Sequence, residues 1–299
     1  MLTVRAPATS ANLGSGFDVF GVALDRPADV VRVERADRTT IEVTGVGAQY
    51  IPEDPDDNTV GAVADALDAP AHIRIDKGVR PSSGLGSSAA SAAAAAFALN
   101  ELYDRGLSRE ELVPIAAEGE AVVSGEAHAD NVAPSLLGGF TVARGGGIDD
   151  AGGVTAVDAD IPLVACLPEI AVSTRDARRV VPGEVAMTDV VSTVGNAATL
   201  TVGMCRSDPA LVGRGMRDPV VTPARASLIT GYEGVREAAL DAGATGVTVS
   251  GAGPAVLAAC YRADRTAVAS AMVSAFHDAG VDARAYQSRI GRGAEILER

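Results

Sequence analysis

Several residue types that mark particular protein classes are scarce in this sequence. It has no tryptophan, only 3% aromatic residues, three histidines and a single lysine, Lys77. Its three cysteines, Cys166, Cys205 and Cys260, stand far apart in apolar surroundings, and their spacing matches no zinc or redox motif. The sequence therefore argues against a cysteine-based metal site and predicts three buried thiols.

Long apolar segments are absent as well. No run is long enough to span a bilayer, and the first residues lack the apolar stretch of a signal peptide. We expect a cytoplasmic protein with no membrane partner.

Positive charge is also scarce, with 25 lysines and arginines against 39 aspartates and glutamates and a net charge of −14. A nucleic-acid-binding surface needs clustered basic residues to neutralise phosphates, so this balance argues against a nucleic-acid partner. An acidic surface with almost no lysine is typical of halophilic organisms, where hydrated carboxylates maintain solubility. A GC-rich genome would also produce a lysine-poor, alanine-rich chain, and both interpretations stay open.

The chain is rich in residues that build a core. Its hydrophobic content of 47% is that of a globular protein, and its length of 299 residues favours about two domains. The glycine- and aspartate-rich residues 144–153 are the best candidate boundary, and they divide the chain into residues 1–150 and 151–299. Strand and helix patterns mix in both parts without an internal repeat, which predicts an α+β fold.

Hydrophobic periodicity and helix-end signals place the elements. Strands are predicted at 3–7, 29–35, 40–46, 71–76, 140–143, 161–167, 170–173, 246–250, 255–261 and 282–287, with 29–35 and 40–46 as a hairpin and 282–287 as the last strand. Helices are predicted from Asn58 to about 67, through an alanine-rich run ending near 104, from the capping box at Ser108 to about 121, and at 188–205 and 266–279. Residues 219–225 are predicted as a loop that enters another helix.

The most informative stretch is Pro-Ser-Ser-Gly-Leu-Gly-Ser-Ser-Ala-Ala-Ser at residues 81–91. It follows a predicted strand and opens the alanine-rich helix, so its glycines and hydroxyls stand where unpaired backbone N–H groups favour an anion. It has neither the Walker pattern nor the glycine spacing of dinucleotide folds. Taken alone, it is equally compatible with a serine-rich cap on a structural helix.

Two other stretches concentrate small and polar residues, as loops held close to a ligand do. The first is Ala-Thr-Ser-Ala-Asn-Leu-Gly-Ser-Gly-Phe-Asp at residues 8–18, and the second covers residues 124–139 and contains His128. On the helix before the second stretch, Glu120 is a candidate metal ligand, whereas Glu118 is expected to face solvent.

Three motifs together resemble a known family. Pro-Ala-Thr-Ser-Ala-Asn-Leu-Gly-Ser-Gly-Phe-Asp at 7–18, Ser-Gly-Leu-Gly-Ser-Ser-Ala-Ala-Ser at 83–91 and Ser-Gly-Ala-Gly-Pro-Ala-Val at 250–256 are similar, in order and spacing, to the signature motifs of the GHMP small-molecule kinases. Within that family, the first motif and His-Ala-Asp-Asn-Val-Ala-Pro at 128–134 resemble the homoserine kinases, which phosphorylate the side-chain hydroxyl of L-homoserine on the route to threonine.

The resemblance implies a two-domain α+β fold, with a ribosomal-S5-like N-terminal domain and a ferredoxin-like C-terminal domain, that binds ATP and Mg²⁺ in the cleft between them. It also implies a homodimer. By the same resemblance the ATP-binding residues are Pro81, Ser82, Ser83, Gly84, Leu85, Gly86, Ser87, Ser88, Gly251 and Gly253, and the Mg²⁺ ligands are Ser88 and Glu120. The implied substrate-binding residues are Asn12, Asp18, His128, Asn131, Arg178 and Arg225, of which Asn12, His128, Asn131 and Arg178 are implied to be catalytic.

These implied roles suit the chemistry. Phosphoryl transfer requires positioning and charge neutralisation, and a zwitterionic amino acid requires an acid for its ammonium group and arginine for its carboxylate. Asp18, Arg178 and Arg225 supply those charges. We favour a mechanism without a side-chain base, in which Asn131 rather than Asp130 faces the acceptor hydroxyl and alignment provides most of the rate.

One detail departs from the family pattern, and two other functions stay open. A proline usually stands one position earlier before the Gly-Leu-Gly, where this chain has Arg80 followed by Pro81. The alternatives are a kinase of the same family with another acceptor, such as mevalonate or shikimate, and a catalytically silent member that binds a metabolite or a partner. Retention of Ser88 and Glu120 argues against the silent alternative.

Overall fold

The computed structural model of the protein describes residues 1–124, 129–144 and 153–299. The strands of this part of the chain are β1 (Leu2–Ala11), β2 (Phe20–Arg35), β3 (Thr40–Gly45), β4 (Ala71–Lys77), β5 (Phe140–Ala143), β6 (Val154–Val157), β7 (Pro162–Pro168), β8 (Ala244–Val249), β9 (Val256–Cys260), β10 (Ala283–Arg289) and β11 (Glu295–Glu298). The helices are α1 (Thr59–Ala66), α2 (Ser87–Tyr103), α3 (Arg109–Ser124), α4 (Ala129–Leu137), α5 (Thr174–Arg179), α6 (Met187–Arg206), α7 (Pro209–Gly215), α8 (Val221–Ala226), α9 (Tyr232–Asp241) and α10 (Arg265–Asp278).

The first sheet has the order β11-β1-β2-β4-β3, with β5 and β6 continuing from β2. Strand β2 pairs antiparallel with β4, and β3 pairs with β4 in parallel. The predicted hairpin of residues 29–35 and 40–46 is therefore wrong, because β4 lies between the two strands. Alternation of apolar and polar residues along a strand reveals its buried face but not which strand lies beside it. Helix α1 forms the crossover connection that the parallel pair of β3 and β4 needs.

Helix α2 lies against this sheet and is buried along most of its length. Its alanines at 89–90, 92–96 and 98 are inaccessible to solvent. All but Ala90 belong to the core that β1, β2 and β4 share with α1, α3 and α4, and Ala90 joins the core that contains Phe20. Small side chains on every face allow a helix to pack closely against a sheet and other helices at once, so α2 shows no polar face. This packing fixes the position of its first turn.

The second sheet has the order β10-β7-β9-β8, and alternate residues of β7 face two cores. Val164 and Cys166 point towards α9 and α10, while Leu163 and Leu167 join a core that also includes Phe20 of the first sheet. The alternation follows from the two-residue period of a strand. Because one core spans both sheets, the loops between them are held in a fixed arrangement.

The ends of several elements differ from the sequence-based expectations. Residues 170–173 form no strand, and the prediction that 282–287 is the last strand is wrong, because β11 follows β10 and returns to pair with β1. Arg225 lies within α8 rather than in a loop before a helix. The capping box is confirmed: Ser108 N–H donates to Glu111 Oε2 over 2.8 Å, and Glu111 N–H donates to Ser108 Oγ over 3.3 Å.

The cysteine prediction holds in part. Cys166 and Cys260 are buried, but Cys205 is exposed on α6, so its assignment as a buried thiol is wrong. The apolar residues around Cys205 in the sequence include an exposed face of α6, and local hydrophobicity could not distinguish that face from a core.

The predicted boundary at 144–153 falls mostly on residues 145–152, outside the described residues. The division into 1–150 and 151–299 stays a prediction. Across the described ranges, no helix is long and apolar enough to cross a bilayer.

Candidate active site

The three sequence motifs meet at one cavity of about 830 Å³. Its lining includes most of the predicted site residues: Asn12, Asp18, Pro81, Ser82, Ser83, Gly84, Gly86, Ser87, Ser88, Glu120, Asn131, Arg178, Arg225, Gly251 and Gly253. Leu85 does not line it and instead packs in the core, 1% exposed. The prediction for His128 lies outside the described residues. Residues 81–88 form what we call the glycine-loop end of the cavity, and Asp18, Arg178 and Arg225 form its arginine end.

The glycine-loop end is held by hydrogen bonds from the other two motifs. Thr9 N–H donates to Leu85 O over 3.0 Å, Ala255 N–H to Ser83 O over 3.1 Å, and Ser250 Oγ to Gly84 O over 2.7 Å. The backbone contacts connect residues far apart in sequence, so each motif constrains the others. The loop is therefore one part of a composite site.

Two glycines in the loop are required by both conformation and space. Gly84 has φ +77° and Gly86 has φ +62°, a left-handed region that other residues rarely adopt. A Cβ at Gly84 would lie 2.5 Å from Ser250 O, and a Cβ at Gly86 would overlap Thr9 Oγ1. A side chain at either position would push the loop away from the neighbouring motif.

The first turn of α2 presents unsatisfied backbone donors to the cavity. Its N-cap is Gly86, no described side chain caps it, and Ser87 and Ser88 of the first turn line the cavity. Such an N-terminus carries a partial positive charge as well as free N–H groups. Together these features make the turn a binding place for an anion such as a phosphate.

Lys77 holds this first turn of α2 in place from the buried side. It is buried at the end of β4, pairs with Asp29, and donates to Ser87 O over 2.7 Å and to Ser91 Oγ over 2.8 Å. Burial lowers the pKa of Lys77, while the attraction of Asp29 opposes that effect. Asp29 in turn accepts the backbone N–H groups of residues 78 and 79. Asp29 was not among the predicted site residues, because nothing in a strand pattern reveals its partner on the neighbouring strand.

Ser88 and Glu120 meet at the side of the loop. Ser88 Oγ donates to Glu120 Oε2 over 2.7 Å. Burial raises the pKa of Glu120 to about 7, against the lowering effects of the Ser88 hydrogen bond and the charge of Lys77. Glu118, two residues earlier on the same helix, is exposed as expected.

This oxygen pair fits a magnesium ion. Mg²⁺ prefers oxygen ligands and is usually held by one or two carboxylates together with phosphates and water, rather than by an all-protein cage. In the described ranges no group of three or more histidine, cysteine, aspartate or glutamate side chains could hold a metal. A carboxylate and a hydroxyl beside an anion site are the partial set that such an ion needs.

The arginine end contains the complementary charges. Arg178 Nη1 contacts Asp18 Oδ2 over 2.6 Å, and the Phe17 ring lies 5.2 Å from the Arg178 guanidinium and 5.0 Å from that of Arg225. Arg225 is 5% exposed, and burial lowers its pKa against the attraction of Asp18. Both arginines and the acid therefore converge around one aromatic ring. Phe17 was not among the predicted site residues, although it stands beside Asp18 in the first motif.

The third motif connects the two ends of the cavity. The Gly251 carbonyl oxygen accepts from Arg225 Nη1 over 2.7 Å and from Asn12 Nδ2 over 3.1 Å. Asn12 Oδ1 accepts the N–H of Asp18 over 3.0 Å, which orients both polar groups of the amide. The Gly251 carbonyl oxygen thus binds both Asn12 of the first motif and Arg225 of α8 and keeps the two side chains close together.

Asn131 and Asp130 both line the cavity at the start of α4. Asn131 Oδ1 accepts from Thr9 Oγ1 over 2.8 Å, which leaves its Nδ2 as the donor side of the amide. Asp130 is 5% exposed, and its Oδ1 lies 3.4 Å from Asn131 Nδ2. A carboxylate and an amide thus stand side by side next to the glycine loop.

Comparison with known proteins agrees with this arrangement. Residues 58–139 match the GHMP kinases N terminal domain, and residues 200–278 match the GHMP kinases C terminal domain. The chain is 77% identical over 297 residues to the homoserine kinase of Natronomonas pharaonis, covering 99% of this chain and all of that one. The chain belongs to the GHMP kinase family. It is an enzyme, and kinases of this family use ATP.

Other relatives extend the comparison to solved structures. The homoserine kinase of Halorubrum lacusprofundi is 76% identical to this chain over 298 residues, and the alignment covers both chains fully. The crystal structure of homoserine kinase from Cytophaga hutchinsonii is 35% identical, with a TM-score of 0.88, and covers 99% of this kinase and 97% of that chain. These matches confirm the predicted two-domain α+β GHMP kinase fold. The acidic, lysine-poor composition fits relatives from halophilic archaea.

Proposed function

We propose that this kinase transfers the terminal phosphoryl group of ATP to the side-chain hydroxyl of L-homoserine, forming O-phospho-L-homoserine for threonine biosynthesis. The observation that carries the proposal is the pairing within one cavity of an anion-binding loop and a zwitterion-binding cluster, Asp18 with Arg178 and Arg225. The 77% identical relative bears the name homoserine kinase, which supports the same acceptor.

The glycine-loop end binds the ATP phosphates. Backbone donors of the loop and of the first turn of α2 neutralise oxygens without long side chains, and Lys77 keeps that turn in place. Ser88 and Glu120 hold Mg²⁺, which when bound supplies positive charge for the phosphate oxygens.

The arginine end binds the amino acid. Asp18 pairs with the ammonium group, and Arg178 and Arg225 bind the carboxylate. Without substrate, Asp18 and Arg178 contact each other. Homoserine replaces this ion pair with two others, one between its ammonium group and Asp18 and one between its carboxylate and the arginines. Mevalonate has no ammonium group to replace the Arg178 contact with Asp18, and its binding would leave that acid unpaired.

The acceptor hydroxyl lies between these ends, where Asn12 and Asn131 orient it. The hydrogen bond from Thr9 Oγ1 fixes the Asn131 amide with Nδ2 as its donor side, so that one N–H is directed to Asp130 Oδ1 and the other binds the substrate. Reaction then proceeds by alignment and charge stabilisation without a side-chain base, and His128 assists in holding the acceptor. Asp130 is the base in the competing mechanism. The enzyme acts as a homodimer in the cytoplasm.

A coupled ADP-release assay at high KCl, with L-homoserine, mevalonate and shikimate as separate acceptors, tests the proposal. We expect kcat/KM for homoserine to exceed the others by roughly 10²-fold, since the loss of a hydrogen bond to a charged group costs about 1.5–3 kcal/mol. Faster turnover of mevalonate or shikimate would identify a kinase with another acceptor. No ADP release with any acceptor would instead identify a silent member of the family.

A further inference from the structure

The Phe17 ring contacts both arginines of the arginine end. The guanidinium carbon of Arg178 lies over the ring, 5.2 Å from its centroid, and that of Arg225 lies 5.0 Å from the same centroid. A cation over an aromatic face is attracted by the negative charge of that face at distances up to about 6 Å. One ring therefore holds both cations that the proposed function assigns to the acceptor carboxylate.

Core packing does not account for the position of this ring. The chain has five phenylalanines, and Phe20, Phe97, Phe140 and Phe276 belong to the apolar cores or pack against them. Among the described residues, Phe17 is half-buried and belongs to none of these cores. It is also not part of the described cavity lining, which includes both arginines. Phe17 therefore contacts the arginines from outside the cavity, rather than the acceptor itself.

The first motif fixes the backbone that carries this ring. The Asn12 carbonyl oxygen accepts the N–H of Gly16 over 2.9 Å, and the Gly16 carbonyl oxygen accepts that of Phe20 over 2.8 Å. Asn12 Oδ1 accepts the N–H of Asp18 over 3.0 Å. These bonds close the chain on both sides of residue 17, so the ring presents a fixed surface to side chains from other elements.

The two arginines need such a surface because they carry the same charge. Burial and, in addition, the charge of Arg178 lower the pKa of Arg225, so the two cations lie close enough to repel. Arg225 is anchored by the Gly251 carbonyl oxygen over 2.7 Å. Arg178 contacts Asp18, and under the proposed function this ion pair is exchanged when the substrate ammonium group arrives. The contact with Phe17 does not depend on that acid and stays available during the exchange.

We propose that Phe17 is a positioning residue for the acceptor, whose ring holds the guanidinium groups of Arg178 and Arg225 in the arrangement that receives the acceptor carboxylate. The inference rests on the proposed function, in which these two arginines bind that carboxylate. Ordering both side chains before binding lowers the conformational freedom that is lost when the carboxylate binds. The role predicts an effect that depends on the carboxylate of the acceptor and not on its hydroxyl, its ammonium group or ATP.

The test uses two substitutions at residue 17 and one elsewhere. Phe17→Leu keeps the apolar bulk and removes the aromatic face, whereas Phe17→Tyr keeps the face. Phe97→Leu is the matched control, because Arg109 lies over the Phe97 ring, 4.6 Å from its centroid, and neither residue lines the described cavity. Far-ultraviolet circular dichroism verifies that each variant is folded.

Three constants are measured for each protein at high KCl: the KM for homoserine, the KM for ATP, and the inhibition constant of 3-aminopropanol against homoserine. This inhibitor has the hydroxyl and the ammonium group of homoserine but no carboxylate. We expect Phe17→Leu to raise the KM for homoserine roughly 10-fold and to leave the other two constants unchanged. Phe17→Tyr and Phe97→Leu should keep the KM for homoserine within about threefold of that of the unsubstituted protein.

Four results would overturn the inference while leaving the proposed function in place. They are an unchanged KM for homoserine in Phe17→Leu, an equal loss of affinity for 3-aminopropanol, a comparable rise in Phe97→Leu, and a Phe17→Tyr protein as impaired as Phe17→Leu. An unsubstituted protein that does not phosphorylate homoserine would instead overturn the proposed function, and this inference with it.

Discussion

At the glycine-loop end of the cavity the binding surface is mostly backbone, whereas at the arginine end it consists of charged side chains. The loop forms from consecutive residues and its donors are N–H groups of one turn. The arginine end joins Asp18 to Arg178, 160 positions away, and to Arg225. Backbone donors tolerate little displacement, while side chains adjust. The two ends should therefore respond differently to substitution. Changes at the glycine-loop end should alter the kinetic constants for ATP, and changes at the arginine end should alter those for the acceptor.

The largest effect is expected at Gly86. Gly86→Ala adds a methyl group where Thr9 Oγ1 already lies, and it requires an unfavourable φ of +62°. We expect kcat/KM for ATP to fall by roughly 10³-fold or more, because misplacement by about 1 Å removes the alignment of the phosphates. Steady-state kinetics with varied ATP measure the loss.

Gly106→Ala is the matched control for that substitution. Gly106 has φ +71°, but nothing lies within 4 Å of its added Cβ. The Gly106→Ala substitution therefore measures the cost of placing alanine at a positive φ without a new contact. We expect near-normal kinetics with a small loss of stability. Equal kinetic damage in both variants would show that conformation, rather than the contact between motifs, governs this end.

The next effect concerns Glu120, where activity and stability are expected to move in opposite directions. Glu120→Gln, like Ser88→Ala, should reduce kcat by roughly 10²–10³-fold through loss of a Mg²⁺ ligand. Yet burial raises the pKa of Glu120 to about 7, so the ionised form destabilises the fold. In the unfolded chain the Glu120 carboxyl has its ordinary pKa of 4.5 and therefore loses its proton at a lower pH than in the folded protein. The free energy of unfolding consequently falls as pH rises from about 4.5 to about 7.

Urea unfolding without nucleotide or metal measures this consequence. Above pH 7 we expect Glu120→Gln to be more stable than the unsubstituted protein by up to about 3 kcal/mol, and near pH 4.5 by nothing. The exposed Glu118→Gln is the control and should change neither activity nor stability. A Glu120→Gln protein that is less stable at pH 8 would contradict the buried, proton-binding carboxyl.

The arginine end is tested by Asp18→Ala. The hydrogen bond from the backbone N–H of residue 18 to Asn12 remains, so the loop should keep its shape. We expect the KM for homoserine to rise by roughly 10²-fold, the equivalent of about 3 kcal/mol for a lost charge-assisted contact, with the KM for ATP unchanged. Kinetics with each substrate varied in turn give both constants.

The exposed Asp37→Ala is the control for overall charge. If Asp18→Ala raised the KM for ATP as much as that for homoserine, the two ends would not be separable. An unchanged KM for homoserine would contradict the role of Asp18 in binding the ammonium group.

The smallest effect is expected at Ser91, beneath the loop. Ser91 Oγ accepts from Lys77 and donates to Asp29 Oδ2 over 2.8 Å. Ser91→Ala should cost about 1–2 kcal/mol of unfolding free energy and raise the KM for ATP a few-fold, since a buried network loses one partner. Urea unfolding and kinetics measure both quantities. Any change in the KM for homoserine would show that the network serves the arginine end too.

Structural features that are local in sequence were predicted correctly. The glycine loop, the start of α2 and the Ser108 capping box depend on turn conformation and on contacts a few residues apart. The β8 and β9 strands around Gly251 were also predicted, because a short apolar run ends in a glycine turn. Such features are specified by neighbours along the chain, so their residue types reveal them.

Features that depend on distant partners were missed. The Asp29 pair with Lys77, the place of Phe17 between two arginines and the return of β11 to β1 all join residues that no local pattern connects. The hairpin error has the same cause, since β4 inserts between strands whose own alternation is correct. Buried partners are chosen by packing across the whole core rather than by spacing.

The sequence by itself determined the family, the three motifs and the charges available to the site, because these are properties of residue type and order. Only the tertiary structure decided that residue 9 binds residue 85 and residue 250 binds residue 84, that Lys77 contacts the first turn of α2, and that Asp18 faces Arg178. Those contacts arise when one core fixes two sheets against each other, and their distances follow from that packing.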